Sequence, residues 1–317
     1  MACRLPCAKV PTPQPAIFTT APAVYAMYTT LITAEQVMQL QNAKAPLMVF
    51  DCSFDLSRSD AGGEMFAQSH IAGAVYADLD RTLSAKGDRQ RTGAQSGGRH
   101  PLPARETVAH WLCDAGFMQG MQAVVYDRQG SSFCGRLWWM LKWLGHDAVA
   151  VLDGGLNAWT AAGGATESGA APTQSGAQSG NFAMGEPLVT LVQAGQVLDQ
   201  LGRATQTIVD ARATPRFRGE VEPLDPVAGH IPGALNRPFQ CNLEADGRFK
   251  PAAQLRAEFI ALLGTRGLQT VVHHCGSGVT AIPNILAMQI AGLGSSALFA
   301  GSWSEWCSDP TRPVAQG

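Results

Sequence analysis

Residues 271–288 read VVHHCGSGVTAIPNILAM, and the order of residue types in this stretch decides the fold. The first four residues predict a short buried strand, the glycines that follow predict a turn, and the apolar run at the end predicts a helix. Strand, glycine-bearing turn and helix in this order are typical of a parallel sheet. Ligands of such sheets bind beyond the carboxyl ends of the strands, which is where Cys275 stands.

The rest of the chain repeats the surroundings of this stretch. Four features recur in the same order, and self-similarity of this kind predicts a duplicated domain. The third and fourth features recur 147 residues later (271 − 124). The four pairs are VFD (49–51) with VDAR (209–212), SHIAGA (69–74) with GHIPGA (229–234), VVYD (124–127) with VVHH (271–274), and DGGLNAW (153–159) with AGSWSEW (300–306).

Each half alternates short apolar runs with helical patterns, which predicts an α/β fold. We expect two domains, each a parallel sheet covered by helices on both faces. Helical spacing predicts helices at 136–144 and 255–263, the first with an apolar stripe of Leu137, Met140, Leu141 and Leu144. The predicted strands are 47–50, 123–126, 149–152, 207–209, 271–273 and 297–299.

Composition predicts the boundaries between these units. Scattered prolines in residues 1–27 predict a disordered tail and argue against a signal peptide. Residues 163–185 are rich in Gly, Ala, Ser and Gln, which is typical of a flexible linker. The N-terminal domain is therefore expected at 28–162 and the C-terminal domain at 186–313.

The overall composition excludes several classes of partner. Hydrophobic residues make up 46% and charged residues 15% of the chain, enough to bury real cores. The net charge of −2 and the lack of a Lys/Arg run argue against nucleic acid as a partner. The chain has no run of about 18 apolar residues, so we expect no membrane-spanning helix. Eight cysteines without a signal peptide predict a reducing compartment, the cytoplasm. No zinc-like spacing occurs, so we expect neither metal nor cofactor.

Cys275 is the candidate reactive residue. Glycines in the following loop allow several N–H groups to point toward one place, and a helix N-terminus adds positive potential there. Both effects stabilise an anion on the cysteine sulfur and favour the thiolate. The alternative is that Cys275 is a small buried hydrophobic residue, which is the favoured interpretation for the other seven cysteines.

Three segments resemble the rhodanese superfamily, in particular the tandem-domain thiosulfate/3-mercaptopyruvate sulfurtransferases. They are CGSGVTA (275–281), GHIPGALN (229–236) and GSWSEWCSDPTRPV (301–314). The resemblance implies two rhodanese-like domains, of which only the second carries the catalytic cysteine. Asp127-Arg128 stand in place of a cysteine in the first half, in agreement with this.

The resemblance also implies a reaction. Sulfur would pass from 3-mercaptopyruvate or thiosulfate, a small anionic donor, through a Cys275 persulfide to an acceptor. The acceptor would be cyanide or a thiol, either a small thiol or that of a thioredoxin-like protein. Cys275 would be the nucleophile. The persulfide would be held by the loop residues Gly276, Gly278, Val279 and Thr280.

Three further residues complete the expected site. By the resemblance, Ser277 would relay protons with a His and an Asp of the N-terminal domain, for which His70 and Asp60 are the candidates. His70 has a second interpretation: His230 stands in the same motif of the other half, so both could be structural. Arg216 matches the family arginine that binds the donor carboxylate, a task suited to a planar guanidinium.

One departure from the family weakens the inference to mercaptopyruvate. The usual second arginine is replaced by Leu224, so one cationic contact is missing unless Arg218 or Arg237 compensates. Thiosulfate therefore stays open as the donor. Arg212 is expected to pair with Asp210 instead of binding the donor.

Three rival functions remain to be weighed. A cysteine phosphatase needs an arginine six positions after the cysteine, where this chain has Ala281. A non-enzymatic binding module of the same fold would generally lack the cysteine. A persulfide relay protein that hands sulfur to a partner protein is not distinguished by any motif.

Overall fold

The computed structural model describes residues 25–86, 93–169 and 179–317, and these form two parallel sheets of five strands each. The first sheet has the order Leu31–Ile32, Val149–Leu152, Gln122–Tyr126, Leu47–Asp51, Val75–Tyr76. The second has the order Leu191–Val192, Ala297–Phe299, Val271–His274, Thr207–Asp210, Leu235–Asn236. The two orders match strand for strand, so the predicted α/β duplication is confirmed.

Helices flank both sheets. In the first half they are Ala34–Asn42, Ala61–Gln68, Arg105–Asp114, Cys134–Trp143 and Gly155–Ala161. In the second half they are Ala194–Asp199, Thr214–Arg218, Ala252–Leu263, Ile282–Ile290 and Ser302–Trp306, with 3₁₀ turns at Phe239–Asn242 and Leu268–Thr270. None of the described helices is both long and apolar enough to cross a membrane.

Successive residues of the central strands enter different hydrophobic cores. Val125 lies in one core with Val271 of the other half, whereas Val124 packs in a core of the first half alone and Val272 in a core of the second. This alternation follows from the two-residue period of a strand. Each sheet therefore presents one face to a core that the two domains share.

The shared core is closed by two helices that pack across the domain boundary. Every residue of Cys134–Trp143 is buried, and a Cβ on Gly135 would stand only 3.2 Å from Ile282 of the helix Ile282–Ile290. The sequence predicted a single apolar stripe on the first helix. The helix is buried on all sides because its remaining faces meet the second domain. Even its polar residue Arg136 is fully buried.

Two predicted boundaries need correction. Within the predicted linker, Thr166–Glu167 form a strand that pairs with His70–Ile71, and Phe182 packs on Phe117 with ring centroids 5.6 Å apart. These apolar and β contacts order both ends of the segment, while 170–178 lie outside the described residues. Tyr25, placed in the predicted tail, donates to the carbonyl of Ala43 at 3.1 Å; residues 1–24 lie outside the described part.

Two histidines are buried on the strand that ends at Cys275. His273 lies against the edge of Phe259, with Nε2 3.2 Å from the sulfur of Met288. Burial, helped by the charges of His274 and Arg237, lowers the pKa of His273 to about 3. His274 lies on the opposite face, 3.5 Å from Asp210, and burial lowers its pKa as well.

We predict that His273 makes the fold sensitive to acid. Its pKa is about 3 when folded and about 6.5 in an unfolded chain, so the unfolded state binds the extra proton as pH falls between these values. Stability is thus lost at about 1.4 kcal/mol per pH unit well below pH 6.5. Denaturant titrations of His273→Leu and the parent between pH 7 and 5 measure this; parallel pH profiles would refute it.

Candidate active site

The loop after Val271–His274 is held by the segment 301–304. The Cys275 N–H donates to Ser302 Oγ at 3.1 Å, and the carbonyl oxygens of Cys275 and Gly276 accept from the N–H groups of Trp303 and Ser304, each at 3.0 Å. Cys275 is 1% exposed. These contacts place the sulfur at the carboxyl end of a central strand, directly before the helix Ile282–Ile290.

Gly278 is required by the shape of this loop. Its φ of +76° is a conformation that other residues resist. A side chain there would also overlap the carbonyl group of Ala300, which lies against the glycine Cα.

The first half shows what such a loop binds. The carboxylate of Asp127 accepts four backbone N–H groups, those of Gln129 (2.9 Å), Ser131 (2.9 Å), Phe133 (2.8 Å) and Cys134 (2.9 Å). Ser131 has a φ of +63°, like the glycine at the matching position of the second half. The loop is therefore a cradle for an anion, and in this half a residue of the chain itself fills it.

The cradle of the second half has no such internal carboxylate. The positions 147 residues later (278 − 131) are Gly276, Gly278, Thr280 and Ala281. In the part of the chain that the structure describes, their N–H groups donate to no protein acceptor. Buried N–H groups need an acceptor. An anion carried on Cys275 would supply it.

The residue at the cysteine position of the first half has a structural role. Arg128 donates to Ser53 Oγ at 2.7 Å and to Asp51 at 3.2 Å, and it also contacts the carbonyl oxygen of Ser69. The guanidinium joins the ends of neighbouring strands. Cys134, the cysteine closest to this loop, is buried, and burial raises its pKa, which disfavours a thiolate.

A histidine of the N-terminal domain contacts Ser277, and it is His100. Its Nδ1 is 2.7 Å from Ser277 Oγ, and its Nε2 is 3.4 Å from Asp80, longer than a usual hydrogen bond. Lys86 lies 2.6 Å from the other oxygen of Asp80. Burial lowers the pKa of His100, so the imidazole is neutral near pH 7 and can accept the serine proton.

The two residues expected in these roles lie elsewhere. His70 stacks on Phe66 with ring centroids 3.7 Å apart; its Nδ1 is 2.7 Å from the Phe66 carbonyl oxygen and its Nε2 is 3.2 Å from Glu167. Asp60 is exposed and pairs with Arg81 at 3.4 Å. The described contacts of His70 and Asp60 do not include Ser277, whose histidine partner is His100 with Asp80 behind it.

The repeat itself carried the signal that separates these histidines. His230, the counterpart of His70, stacks on Phe217 at 3.9 Å and approaches the Phe217 carbonyl oxygen through Nδ1 at 2.8 Å. A histidine that makes the same contacts in both halves supports the fold of each. His100 belongs to none of the four repeated features. It contacts Ser277, which lies in the cysteine loop of the catalytic half.

Arg136 reaches the cysteine loop from the N-terminal domain. The wholly buried guanidinium donates to the carbonyl oxygens of Gly278 (2.9 Å), His100 (2.9 Å) and Leu83 (3.3 Å). Burial lowers its pKa to about 10, which leaves it charged at neutral pH, and a Cys275 thiolate acts in the opposite direction. No carboxylate of the described residues pairs with it, so a thiolate at Cys275 would be its counter-charge.

Arg216 lies beside the cysteine loop. Its Nε and Nη2 donate to Glu222 at 3.2 and 2.6 Å, and Nη2 is 3.4 Å from Asp225. Its Nη1 stands 3.6 Å from where a Cβ of Gly276 would lie. Arg212 pairs with Asp210 at 2.7 Å, so the prediction of a structural role for this arginine is confirmed.

Neither candidate for the missing cation faces the loop. Arg218 is exposed and pairs with Glu220 at 3.7 Å. Arg237 is buried and pairs with Glu258 at 2.8 Å. Arg99, which the sequence did not single out, pairs with Asp225 and lies beside Gly276.

A cleft of about 200 Å³ opens between the domains next to this site. Polar and apolar side chains line it together: Arg99, His100 and Asp80 are polar, and Leu224, Phe54 and Leu56 are apolar. Within the described ranges, no three His, Cys, Asp or Glu side chains converge as a metal site. The chemistry that the residues offer is that of a nucleophilic thiolate with a proton relay and two nearby arginines.

Comparisons with known proteins identify the family of the chain. The rhodanese-like domain model matches residues 33–162 and 193–309. A Pseudomonas aeruginosa protein named probable 3-mercaptopyruvate sulfurtransferase is 46% identical over 90% of this chain and 98% of its own length. A Mycobacterium tuberculosis protein that bears the name thiosulfate sulfurtransferase SseB is 40% identical over 90% of this chain and 97% of its own length. The crystal structure of SseA from Escherichia coli, described as a 3-mercaptopyruvate sulfotransferase, matches with a TM-score of 0.71 at 30% identity. The match covers 88% of this chain and all of that one.

We predict that Arg136→Met makes Cys275 less nucleophilic. Without the buried cation, alkylation of Cys275 by iodoacetamide should be slower at a given pH, because a nearby opposite charge favours the thiolate. Peptide-level mass spectrometry across a pH series measures the rate at this cysteine alone. Lys142→Met is the matched control, since Lys142 is a buried cation of the same helix that pairs with Asp147. Identical profiles for both variants would contradict the role of Arg136.

Proposed function

This chain belongs to the rhodanese-like family and is a sulfurtransferase, and we propose that it takes sulfur from 3-mercaptopyruvate and carries it as a persulfide on Cys275. The observation that best supports this is the anion cradle of Gly276, Gly278, Thr280 and Ala281. Its counterpart in the first half is filled by the carboxylate of Asp127. The second-half loop has no such internal carboxylate and suits an anion that forms only during the reaction.

In the first half-reaction the Cys275 thiolate attacks the sulfur atom of the donor. An S–S bond forms, the C–S bond breaks, and its electron pair passes to the donor carbon, which becomes the enolate of pyruvate. The proton of the donor thiol ends on that carbon. Cys275 then carries a persulfide anion within hydrogen-bond reach of the cradle.

The proton moves through Ser277 and His100. A neutral imidazole accepts a proton at Nδ1 from the serine hydroxyl 2.7 Å away, and Asp80 near Nε2 stabilises the imidazolium that forms. The serine in turn takes the proton of the donor thiol. The imidazolium then returns a proton through the serine to the enolate carbon, which restores the neutral imidazole. Both groups flank the loop, so no movement of the cysteine is needed.

In the second half-reaction an acceptor attacks the outer sulfur of the persulfide. Cyanide would leave as thiocyanate, and a thiolate would leave as a new persulfide, in each case with return of the Cys275 thiolate. A thioredoxin-like protein or a small thiol suits the cytoplasm, where we propose that the enzyme works. The six cysteines within the described ranges are all free, in keeping with a reducing compartment.

Thiosulfate is the second candidate donor. The name of the M. tuberculosis relative points to it, as does Leu224 in place of an arginine. Here the S–S bond of the donor breaks and sulfite leaves. The uncharged residues Gly276 and Ser277 beside the cysteine favour the carboxylate donor, and steady-state kinetics with both donors decide between them.

We predict that Cys275 alone carries the transferred sulfur. Incubation with the donor should raise the intact mass of the parent by one sulfur atom, and Cys275→Ser should neither gain the mass nor transfer sulfur to cyanide. Cys134→Ser is the matched control, because Cys134 is the buried cysteine beside the first-half cradle, and it should keep most activity. Turnover by Cys275→Ser would sink the assignment.

We predict that Ser277→Ala and His100→Asn lower kcat by about 100-fold or more, the usual contribution of a positioned acid–base group. His70→Asn should leave kcat nearly unchanged if it folds. Because burial lowers the pKa of His100, the parent should keep its kcat as pH falls through 6.5. Equal losses in the His70 and His100 variants would contradict this relay.

A further inference from the structure

The donor carboxylate needs a cation that Leu224 does not supply. The Leu224 side chain is 47% exposed and lines the cleft between the domains. Arg99, one residue before His100, lines the same cleft. The N-terminal domain therefore brings an arginine to the cleft that Leu224, the position where the resemblance placed the second arginine, also lines.

We propose that Arg99 is the second arginine that positions the carboxylate of the sulfur donor, a role that rests on the function proposed above. Together with Arg216 it forms a two-arginine clamp with one member from each domain. The clamp closes over Gly276, the residue directly after the nucleophile Cys275.

The two guanidiniums converge on one point of the loop. Arg99 Nη2 stands 2.8 Å, and Arg216 Nη1 3.6 Å, from where a Cβ of Gly276 would lie. A side chain at 276 would fill this space, so glycine keeps it open for a ligand. The nearest arginine nitrogen thus belongs to Arg99.

Acidic residues orient both arginines without occupying these nitrogens. Asp225, 3% exposed, binds Nη1 of Arg99 and lies 3.4 Å from Nη2 of Arg216, while Glu222 takes the Nε and Nη2 of Arg216. Arg99 Nη2 and both terminal nitrogens of Arg216 face Gly276, with Arg216 Nη1 at 3.6 Å and Nη2 at 3.7 Å from where a Cβ would lie. Of these, Arg99 Nη2 and Arg216 Nη1 are bound by no acid of the described residues, so both can donate to a carboxylate.

The segment that carries Arg99 is fastened to the catalytic domain. The N–H of Gly97 donates to Glu305 and that of Arg99 to Ser304 Oγ, each at 3.1 Å. His100 then contacts Ser277. These contacts preorganise Arg99 across the domain boundary, so a donor would not need to order a long side chain.

The test is the KM for 3-mercaptopyruvate of Arg99→Leu with cyanide as acceptor. We expect KM to rise about 10- to 100-fold, as for loss of one charge-assisted hydrogen bond, with kcat changed far less. Arg218→Leu removes the same charge from an exposed arginine and should leave KM unchanged. Leu224→Arg added to Arg99→Leu should restore a low KM, because both residues line the same cleft.

Binding of pyruvate by calorimetry supplies a readout that does not depend on turnover. Arg99→Leu should weaken pyruvate binding by a similar factor, while the rate of Cys275 alkylation by iodoacetamide stays at the parent value and shows an intact loop. If the parent binds pyruvate no better than Arg99→Leu, the role of Arg99 is overturned. A parent that uses thiosulfate alone would instead overturn the proposed donor, and the pyruvate comparison would still decide on Arg99.

Discussion

Backbone N–H groups that point into a buried space require an acceptor, and the two halves of this chain meet that requirement in different ways. The first half supplies the carboxylate of Asp127, which accepts four N–H groups at 2.8–2.9 Å. The second half leaves the matching groups to an anion on Cys275. A cradle that its own chain does not fill is costly to bury. In the proposed reaction the persulfide anion would be the missing acceptor.

The same requirement explains why the two domains share one core. The cysteine loop alone lacks both a proton acceptor and a counter-charge for a thiolate. His100 and Arg136 bring these from the N-terminal domain, at 2.7 Å from Ser277 and 2.9 Å from the Gly278 carbonyl oxygen. A wholly buried guanidinium is destabilising without an anion, so Arg136 is favoured only when the catalytic loop lies against it. The N-terminal domain, which has no cysteine at the matching position, therefore contributes to the candidate active site.

The sequence was sufficient for the parts of the site that regular structure carries. Residues 149–152 and 297–299 are strands with the bounds that their apolar runs predict, and the strand–turn–helix order was enough to single out Cys275. The helix at 252–263 begins three residues before its predicted start at 255. The sequence did not reveal this earlier start, because no side chain caps the N-terminus and the pattern of buried residues begins only at Leu255.

The relay and the clamp could not be predicted, because their residues lie in an irregular segment. Asp80, Arg99 and His100 fall outside the described helices and strands, where no periodicity marks the buried side. Their partners are far away in the chain: His100 and Ser277 are 177 residues apart, and Arg99 and Asp225 are 126 apart. His70 was chosen because it stands in a recognisable motif, although that motif serves the packing of each half.

This placement bears on how the donor is recognised. A second arginine at 224 would put both cations on the catalytic domain, and that domain could then bind a carboxylate by itself. With Leu224 and Arg99, one cation comes from each domain, and the N–H of Arg99 is held by Ser304 across the boundary. Carboxylate binding then requires the docked arrangement that also brings His100 to Ser277. Donor recognition and proton transfer would thus depend on the same interface, so a donor is held where the relay is assembled.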